Sequence, residues 1–240
     1  MPFSLRENGY KSKSSPAHLQ ENCSKPRCFK YSGALPSACG FALSLTLMGM
    51  VASEFPPATE MEILYSRAQI AARVRELGAQ ISADYAGRSI VLIGVLKGAA
   101  VFLSDLARAI EVHNTFDFVA VSSYANGRVS SGAVKLIKDI DSPIEGKDVI
   151  LVEDILDTGL TLTHLRGIML QHRPSSLKIA TCLDKPERRL VPIEADYVGF
   201  QIPNRFVVGY GMDYAEHYRN LEDIRLFPEN AAGRRKNSET

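Results

Sequence analysis

The sequence has almost no net charge, because 28 lysine and arginine residues are balanced by 27 aspartate and glutamate residues among 240. This balance excludes a polybasic protein that binds nucleic acid through bulk charge. The 45% hydrophobic and 23% charged residues exclude a collagen-like or coiled-coil rod and a fully disordered chain. A single globular domain is expected.

Cysteine is scarce as well, with four residues in the whole chain. Three of them lie in the first 40 positions, so we expect no disulfide framework and predict a reducing, cytoplasmic location. The fourth, Cys182, stands in an apolar run and is predicted to be a small buried hydrophobic residue. The five histidines show no spacing typical of metal ligands.

Charge is absent altogether from Tyr31 to Ser53. A membrane-spanning helix needs about 20 mostly apolar residues, but glycine, proline and serine interrupt this stretch. A signal peptide is a second alternative, although about thirty largely polar residues precede the apolar part. We favour a poorly ordered extension over residues 1–60, or an upstream start that the working protein does not use. We therefore expect no membrane partner, a working domain over 61–228 and a flexible tail over 229–240.

Helical and strand patterns alternate after residue 60. A three- to four-residue apolar spacing from Leu64 to Tyr85 predicts a first helix, and further helices are predicted over 101–110 and 161–172. Strands are predicted over 89–96, 116–124, 134–140, 148–155, 177–184, 197–200 and 206–211. This order predicts an α/β domain with a mostly parallel twisted sheet, helices on both faces, and ligands at the carboxyl ends of the strands.

Two adjacent acids, Glu153 and Asp154, end the apolar strand DVIL. Neighbouring carboxylates repel each other unless a cation or hydroxyl donors meet them, and sugar hydroxyls or a substrate held by Mg2+ would do so. The turn from Asp157 to Thr161 then offers backbone N–H groups, hydroxyls and the positive end of a helix to a phosphate. The alternative is an ordinary turn in which Asp157 or Thr158 caps the helix.

The stretch VILVEDILDTGLT resembles the phosphoribosyl-diphosphate signature of type I phosphoribosyltransferases. An aspartate at position 157 is the form seen in the hypoxanthine-guanine branch, which acts on 6-oxopurines. The resemblance implies the type I phosphoribosyltransferase fold, with a small hood region and a mobile active-site loop. It also implies Mg2+, a purine base and phosphoribosyl diphosphate as small-molecule ligands, and assembly as a dimer or tetramer.

Other segments agree with the resemblance in the order that this family requires. GVLKGAAVF resembles the pyrophosphate loop, in which the peptide bond before Lys97 is often cis. VSSYANGRVSSG resembles the mobile loop, with Ser123 and Tyr124 as its adjacent Ser-Tyr pair. CLDKPERR supplies Lys185 for the purine 6-oxygen. RFVVGYGMDYAEHYRN resembles the closing segment, and the backbone of its Val207 would meet the base edge, so the Val207 side chain should tolerate change.

The implied residues fall into four groups according to the part of the reaction that they serve. The catalytic base is Asp157. Phosphoribosyl diphosphate would be bound by Lys97, Gly98, Glu153, Asp154, Asp157, Thr158, Gly159, Leu160, Thr161 and Arg219. The purine would be bound by Ile155, Lys185, Phe206, Val207 and Asp213. The metal would be held by Glu153, Asp154 and Asp213.

The implied reaction is Mg2+-dependent transfer of a phosphoribosyl group to hypoxanthine or guanine, or both. One alternative is a xanthine- or pyrimidine-specific relative, because the sugar-phosphate half of the site is shared. Another is an RNA-binding regulator on the same fold, which requires a basic face. Residues 61–228 hold 19 basic and 21 acidic residues and do not supply one. A Rossmann dehydrogenase is disfavoured because no G-x-G-x-x-G motif follows the first strand.

Overall fold

The computed structural model describes residues 55–123 and 134–228. Three α-helices lie within these residues: α1 (Arg67–Asp84), α2 (Ala100–Ala109) and α3 (Leu160–Gln171). The strands there are β1 (Ile63–Tyr65), β2 (Ile90–Leu96), β3 (Asn114–Ser123), β4 (Val134–Lys138), β5 (Asp148–Leu156), β6 (Ser176–Asp184), β7 (Tyr197–Gln201), β8 (Val207–Val208) and β9 (Ile224–Leu226). None of these helices has both the length and the hydrophobicity needed to cross a bilayer.

Six strands form the main sheet, in the order β4-β3-β2-β5-β6-β7. All neighbours are parallel except β3 and β4, which are antiparallel. A second, three-stranded antiparallel sheet has the order β1-β9-β8 and brings both ends of the domain together. The predicted α/β class, with a mostly parallel sheet, is confirmed.

Helices cover both faces of the sheet, and the side chains of β5 are therefore buried alternately on one face and on the other. Ile150 and Val152 pack in the core that contains α1 and α2. Val149 and Leu151 pack in the opposite core, where α3 contributes Leu162, Leu165 and Met169. Strand β5 is therefore central, and everything that follows its carboxyl end is held on a rigid base.

The structure corrects two predicted boundaries. Leu64 lies in β1 rather than in the first helix, because Ser66 caps α1 by accepting a hydrogen bond from the Gln69 N–H, in a capping box that starts the helix at Arg67. The strand predicted over 206–211 is only β8, because Gly209 adopts a φ of +97° and turns the chain out of the sheet.

Candidate active site

Three parallel strands end at the same edge of the sheet and bring the predicted site residues together. Strand β2 leads into Lys97, β5 leads into Asp157, and β6 leads into Lys185. Leu156 and Asp184 are register partners in the β5–β6 pair, so the last two segments start side by side. The positions follow the rule that ligands of such sheets bind beyond the carboxyl ends of the strands.

The two adjacent acids, Glu153 and Asp154, lie near the carboxyl end of β5 and are half-buried. Burial and the neighbouring Asp154 carboxylate raise the pKa of Glu153 well above its usual range. Burial also raises the pKa of Asp154, although the Ile155 N–H donates to its Oδ1 at 2.9 Å. Glu153 Oε2 is buried without a hydrogen-bond partner. Both carboxylates would therefore be stabilised by a cation or by hydroxyl donors.

The acidic pair offers part of the ligand set of a metal ion rather than a complete metal cage. Among the described residues, no group of three or more histidine, cysteine, aspartate or glutamate side chains could hold a metal by itself. Mg2+ usually takes one or two carboxylates and completes its shell with waters and substrate phosphates. The unpartnered oxygen of Glu153 and the adjacent Asp154 would fit that partial set of ligands.

The turn after β5 has the shape of an anion site. Helix α3 begins at Leu160 directly after Gly159, whose φ of +83° is left-handed. No side chain caps the helix in the ordinary way, and Thr158 Oγ1 only accepts from the Leu160 N–H at 3.4 Å. The Asp157 carboxylate is turned elsewhere, with its Oδ1 2.6 Å from Arg188 Nε. The helix end therefore remains available to a phosphate.

The loop after β2 contacts the acidic pair through its backbone. The Leu96–Lys97 peptide bond is cis, as the resemblance predicts. A Cβ atom on Gly98 would lie 1.7 Å from Asp154 Oδ2, and a Cβ atom on Gly211 would lie 2.1 Å from the Gly98 carbonyl oxygen. No side chain fits at either position. Lys97 itself is exposed and pairs with Glu216 at 3.1 Å.

A cavity of about 400 Å³ contains all five residues predicted to bind the purine, together with Asp154 and Asp157. Lys185 is buried, and burial lowers the pKa of its amine, an effect that the nearby Asp157 carboxylate opposes. Phe206 is 46% exposed, and its ring meets Tyr214 and Phe227 edge to face. A flat, supported aromatic ring and a buried cation thus share one cavity.

The side chains of Val207, Asp213 and Arg219 are each held by contacts within the protein. The side chain of Val207 is buried in the main core, so the expectation that it tolerates change is wrong. Asp213 Oδ1 lies 2.8 Å from Arg219 Nη2, and its Oδ2 accepts from the Glu216 N–H at 2.8 Å. Arg219 Nη1 also donates to the Gly211 carbonyl at 2.8 Å. Asp213 and Arg219 therefore form one unit on the closing segment.

Two arginines with direct contacts to the turn at residues 157–161, here called the phosphate turn, were not predicted from the sequence. Arg188 pairs with the Asp157 carboxylate, and Arg189 donates to the Asp157 carbonyl. Their only sequence signal is their position soon after a predicted strand, which ordinary surface residues share. The mobile-loop predictions cannot be placed: Tyr124 and the side chain of Ser123 lie outside the described part of the chain.

Comparison with known proteins identifies the family of this chain. The phosphoribosyl transferase domain family matches residues 60–215. A hypoxanthine-guanine phosphoribosyltransferase of Streptococcus agalactiae is 51% identical over 168 residues, which are 70% of this chain and 93% of that protein. The chain therefore belongs to the phosphoribosyltransferase family.

Solved structures point to one branch of this family. A hypoxanthine-guanine phosphoribosyltransferase of Bacillus anthracis is 52% identical, with a TM-score of 0.68 over 70% of this chain and 100% of that one. A hypoxanthine phosphoribosyltransferase of Staphylococcus aureus is 47% identical, with a TM-score of 0.69 over 72% of this chain and 94% of that one. The resemblance to the hypoxanthine-guanine branch, stated from the signature around Asp157, is confirmed.

Proposed function

We propose that this protein transfers the 5-phosphoribosyl group of 5-phospho-α-D-ribosyl 1-diphosphate to hypoxanthine or guanine, or both, and releases pyrophosphate. The observation that carries the proposal is the single cavity that joins Lys185, Phe206 and Asp157 beside the acidic pair. A 6-oxopurine needs a donor for its oxygen and a flat apolar surface for its ring, and the cavity offers both.

The sugar-phosphate half of the substrate is assigned to the segments after β2 and β5. The turn at residues 157–161 would receive the 5-phosphate, while Glu153 and Asp154 would face the ribose hydroxyls and hold Mg2+. When bound, Mg2+ neutralises charge that develops on the departing pyrophosphate. Backbone groups at Lys97 and Gly98, together with Arg219, would stabilise the same charge.

The purine half provides the nucleophile. The C1–O bond breaks with its electron pair on the pyrophosphate, and purine N9 forms the new bond to C1. Asp157 would hold or accept the proton of N7 as N9 attacks, which makes it the general base. Ile155 and Val207 would line the base, and Asp213 would contact the base and help to hold the metal. Segment 122–131, with Ser123 and Tyr124, would exclude water that could otherwise intercept the ribosyl cation.

Lys185 sets the specificity in this proposal. Its amine is a donor, so it suits the 6-oxygen of hypoxanthine and guanine but opposes the 6-amino group of adenine. Pyrophosphate release should be measured with phosphoribosyl diphosphate, Mg2+ and hypoxanthine, guanine, xanthine or adenine in turn. We expect turnover with hypoxanthine or guanine and none with adenine.

A matched pair of lysine variants controls the experiment. Lys185→Ala should raise the KM for the purine about tenfold or more, the usual effect of losing one charge-assisted hydrogen bond. Lys147→Ala, an exposed lysine at the opposite edge of the sheet, should leave it unchanged. Preference for adenine in the unmodified protein would overturn the assignment, and preference for xanthine or a pyrimidine would select the related enzyme instead. Pyrophosphate release that does not depend on an added base would also contradict the proposal.

Three further features stay predictions. Assembly as a dimer or tetramer is tested by measuring the native mass in solution. A cytoplasmic location is tested by cell fractionation, and intact-mass measurement of the native protein would show whether residues 1–60 are present.

A further inference from the structure

Arg189 is a partly buried arginine with two contacts on backbone carbonyls at the start of the phosphate turn. Its side chain is 16% exposed, and its Nη2 forms an ion pair with Asp184 Oδ1, an aspartate that is itself 7% exposed. Its Nη1 donates to the carbonyl of Leu156 at 3.0 Å and to the carbonyl of Asp157. One guanidinium thus connects the end of β6 to the start of the phosphate turn.

Neighbours of Arg189 complete the same pattern. The Lys185 N–H donates to the Leu156 carbonyl, and the Leu190 N–H donates to the Thr158 carbonyl, both at 3.0 Å. Segment 185–190 therefore engages three consecutive carbonyls, those of residues 156, 157 and 158. In a planar trans peptide, the N–H of the next residue points away from the carbonyl. The N–H groups of residues 157, 158 and 159 are accordingly directed away from segment 185–190, as an anion-binding concavity requires.

We propose that Arg189, held by Asp184, is a positioning residue that orients these peptide groups toward the 5-phosphate of the substrate. This inference rests on the proposed function, in which the turn after β5 binds that phosphate. Arginine suits the task because its planar fork reaches two carbonyls and a carboxylate at once, which a lysine amine cannot do with the same geometry. Asp184 balances the partly buried charge that Arg189 would otherwise carry alone.

Arg188, the adjacent arginine, has a different relation to the turn. It meets the side chain of Asp157 rather than the backbone, and its own side chain is 44% exposed. The cavity that would hold the purine is lined by Arg188 but not by Arg189. The two arginines therefore act on different atoms of the same turn, and only Arg189 is assigned to the phosphate.

Binding measurements with two different anions distinguish a positioning role of Arg189 from a general effect on folding. Dissociation constants for ribose 5-phosphate and for pyrophosphate, each with Mg2+, should be measured by calorimetry on the full chain. Arg189→Ala should raise the dissociation constant of ribose 5-phosphate about tenfold or more, as expected for the loss of charge-assisted hydrogen bonds. The dissociation constant of pyrophosphate, which is assigned to the loop after β2, should change less than twofold. The KM for phosphoribosyl diphosphate should rise, and the KM for the purine should not.

Three other variants complete the set. Asp184→Asn should show the same selective loss to a smaller extent, and Arg189→Lys should restore part of the affinity lost in Arg189→Ala. Arg166→Ala, on the exposed side of α3, is the matched control and should bind both anions normally. If Arg189→Ala does not fold, Arg189→Lys decides the matter, because a weakening of ribose 5-phosphate alone is still expected.

The inference would be overturned by unchanged ribose 5-phosphate binding in these variants. Equal weakening of both anions, together with a lower unfolding temperature, would also overturn it by reducing Arg189 to a structural residue. Failure of the proposed function gives a different result: the unmodified protein would then bind ribose 5-phosphate without transferring a phosphoribosyl group to any purine.

Discussion

Strand β5 carries carboxylates near both of its ends, and the two ends differ in how well these carboxylates are paired. Asp148, at the amino end, pairs with Arg88 at 3.2 Å and accepts a hydrogen bond from the Ser176 hydroxyl. Glu153 and Asp154, near the carboxyl end, repel each other, and one oxygen of Glu153 has no hydrogen-bond partner. The amino end of the strand thus carries a paired carboxylate, whereas the carboxyl end carries two buried carboxyl groups, one of which has an oxygen without a hydrogen-bond partner.

Neighbouring residues extend the contrast across the sheet. At the amino-end edge, hydrogen bonds from Tyr197 and Lys178 lower the pKa of Asp84, and the bond with Tyr197 raises the pKa of Lys178. At the carboxyl-end edge, burial raises the pKa of Glu153 and lowers that of Lys185. Groups at the first edge favour their charged forms, whereas groups at the second edge would need a ligand to do so. Perturbations of the second kind are typical of functional sites.

The largest effect is expected from removing the base at the ligand-binding edge. Asp157→Asn should lower kcat about a hundredfold or more, because a positioned proton acceptor commonly contributes that much. Asp148→Asn, at the other end of β5, should keep kcat within about twofold while lowering the unfolding temperature, because it breaks only structural contacts. Steady-state kinetics and thermal melts of both variants test the contrast. A loss of about tenfold or less in Asp157→Asn would remove Asp157 from the role of base.

An intermediate effect is expected for Glu153→Gln, which should weaken substrate binding but stabilise the ligand-free fold. The KM for phosphoribosyl diphosphate should rise about tenfold, since a charged ligand group is lost. The ligand-free protein should nevertheless melt about 2 to 4 °C higher at pH 8, if the charge costs about 1 kcal/mol there.

The pH dependence of this gain follows from the sign of the shift. A raised pKa in the folded state means that Glu153 stabilises the fold below its ordinary value of 4.5 and loses that contribution as the pH rises through the raised value. The gain in Glu153→Gln should therefore shrink toward pH 5. The exposed Glu194→Gln variant should melt like the unmodified protein at both pH values. A variant that is less stable at pH 8 would show that the acidic pair is not electrostatically unfavourable.

The smallest effect is expected at the satisfied edge. Asp84→Asn should lower the unfolding temperature by about 2 °C at pH 7, because its partly exposed pair with Lys178 contributes little more than about 0.5 to 1 kcal/mol. The pKa of Asp84 is lowered, so its contribution exists above its ordinary value of 3.8 and disappears as the pH falls through the lower folded value. Melts at pH 7 and pH 3 should therefore differ in the size of the effect, while kcat at pH 7 stays unchanged. Loss of activity in this variant would contradict the separation of the two edges.

Strong local patterns made most of the fold predictable. The apolar runs of β2, β5 and β6 are long enough to indicate buried parallel strands. Strands β1 and β9 have only three residues each and pair with each other, so no local pattern distinguishes them from loops. The spacing that starts at Leu64 continues smoothly across the boundary at Ser66, and only the capping box marks where the helix begins.

The candidate site likewise has one part that the sequence predicts and another that it does not. The acidic pair and the turn after it lie in one continuous segment, where the order of residue types carries the chemistry. The contacts of Arg188 and Arg189 with this turn span more than thirty residues of chain. Such contacts arise from the β5–β6 register and leave no periodic signal. The burial of Val207 gives no local signal either, because both residues of the two-residue strand β8 are buried and no alternation marks it.

The close stacking of Gly98 between Asp154 and Gly211 has a consequence for any attempt to redesign the enzyme. Three distant stretches of chain meet there with no room for one additional carbon atom: a side chain at 98 would displace the Asp154 carboxylate, and a side chain at 211 would meet a backbone oxygen that no substitution removes. In a library in which every position is varied, 98 and 211 should be among the least permissive positions. Asn204, at the rim of the purine cavity, should accept many replacements. Changes of base preference are therefore best sought along that rim, with the glycine contact left intact.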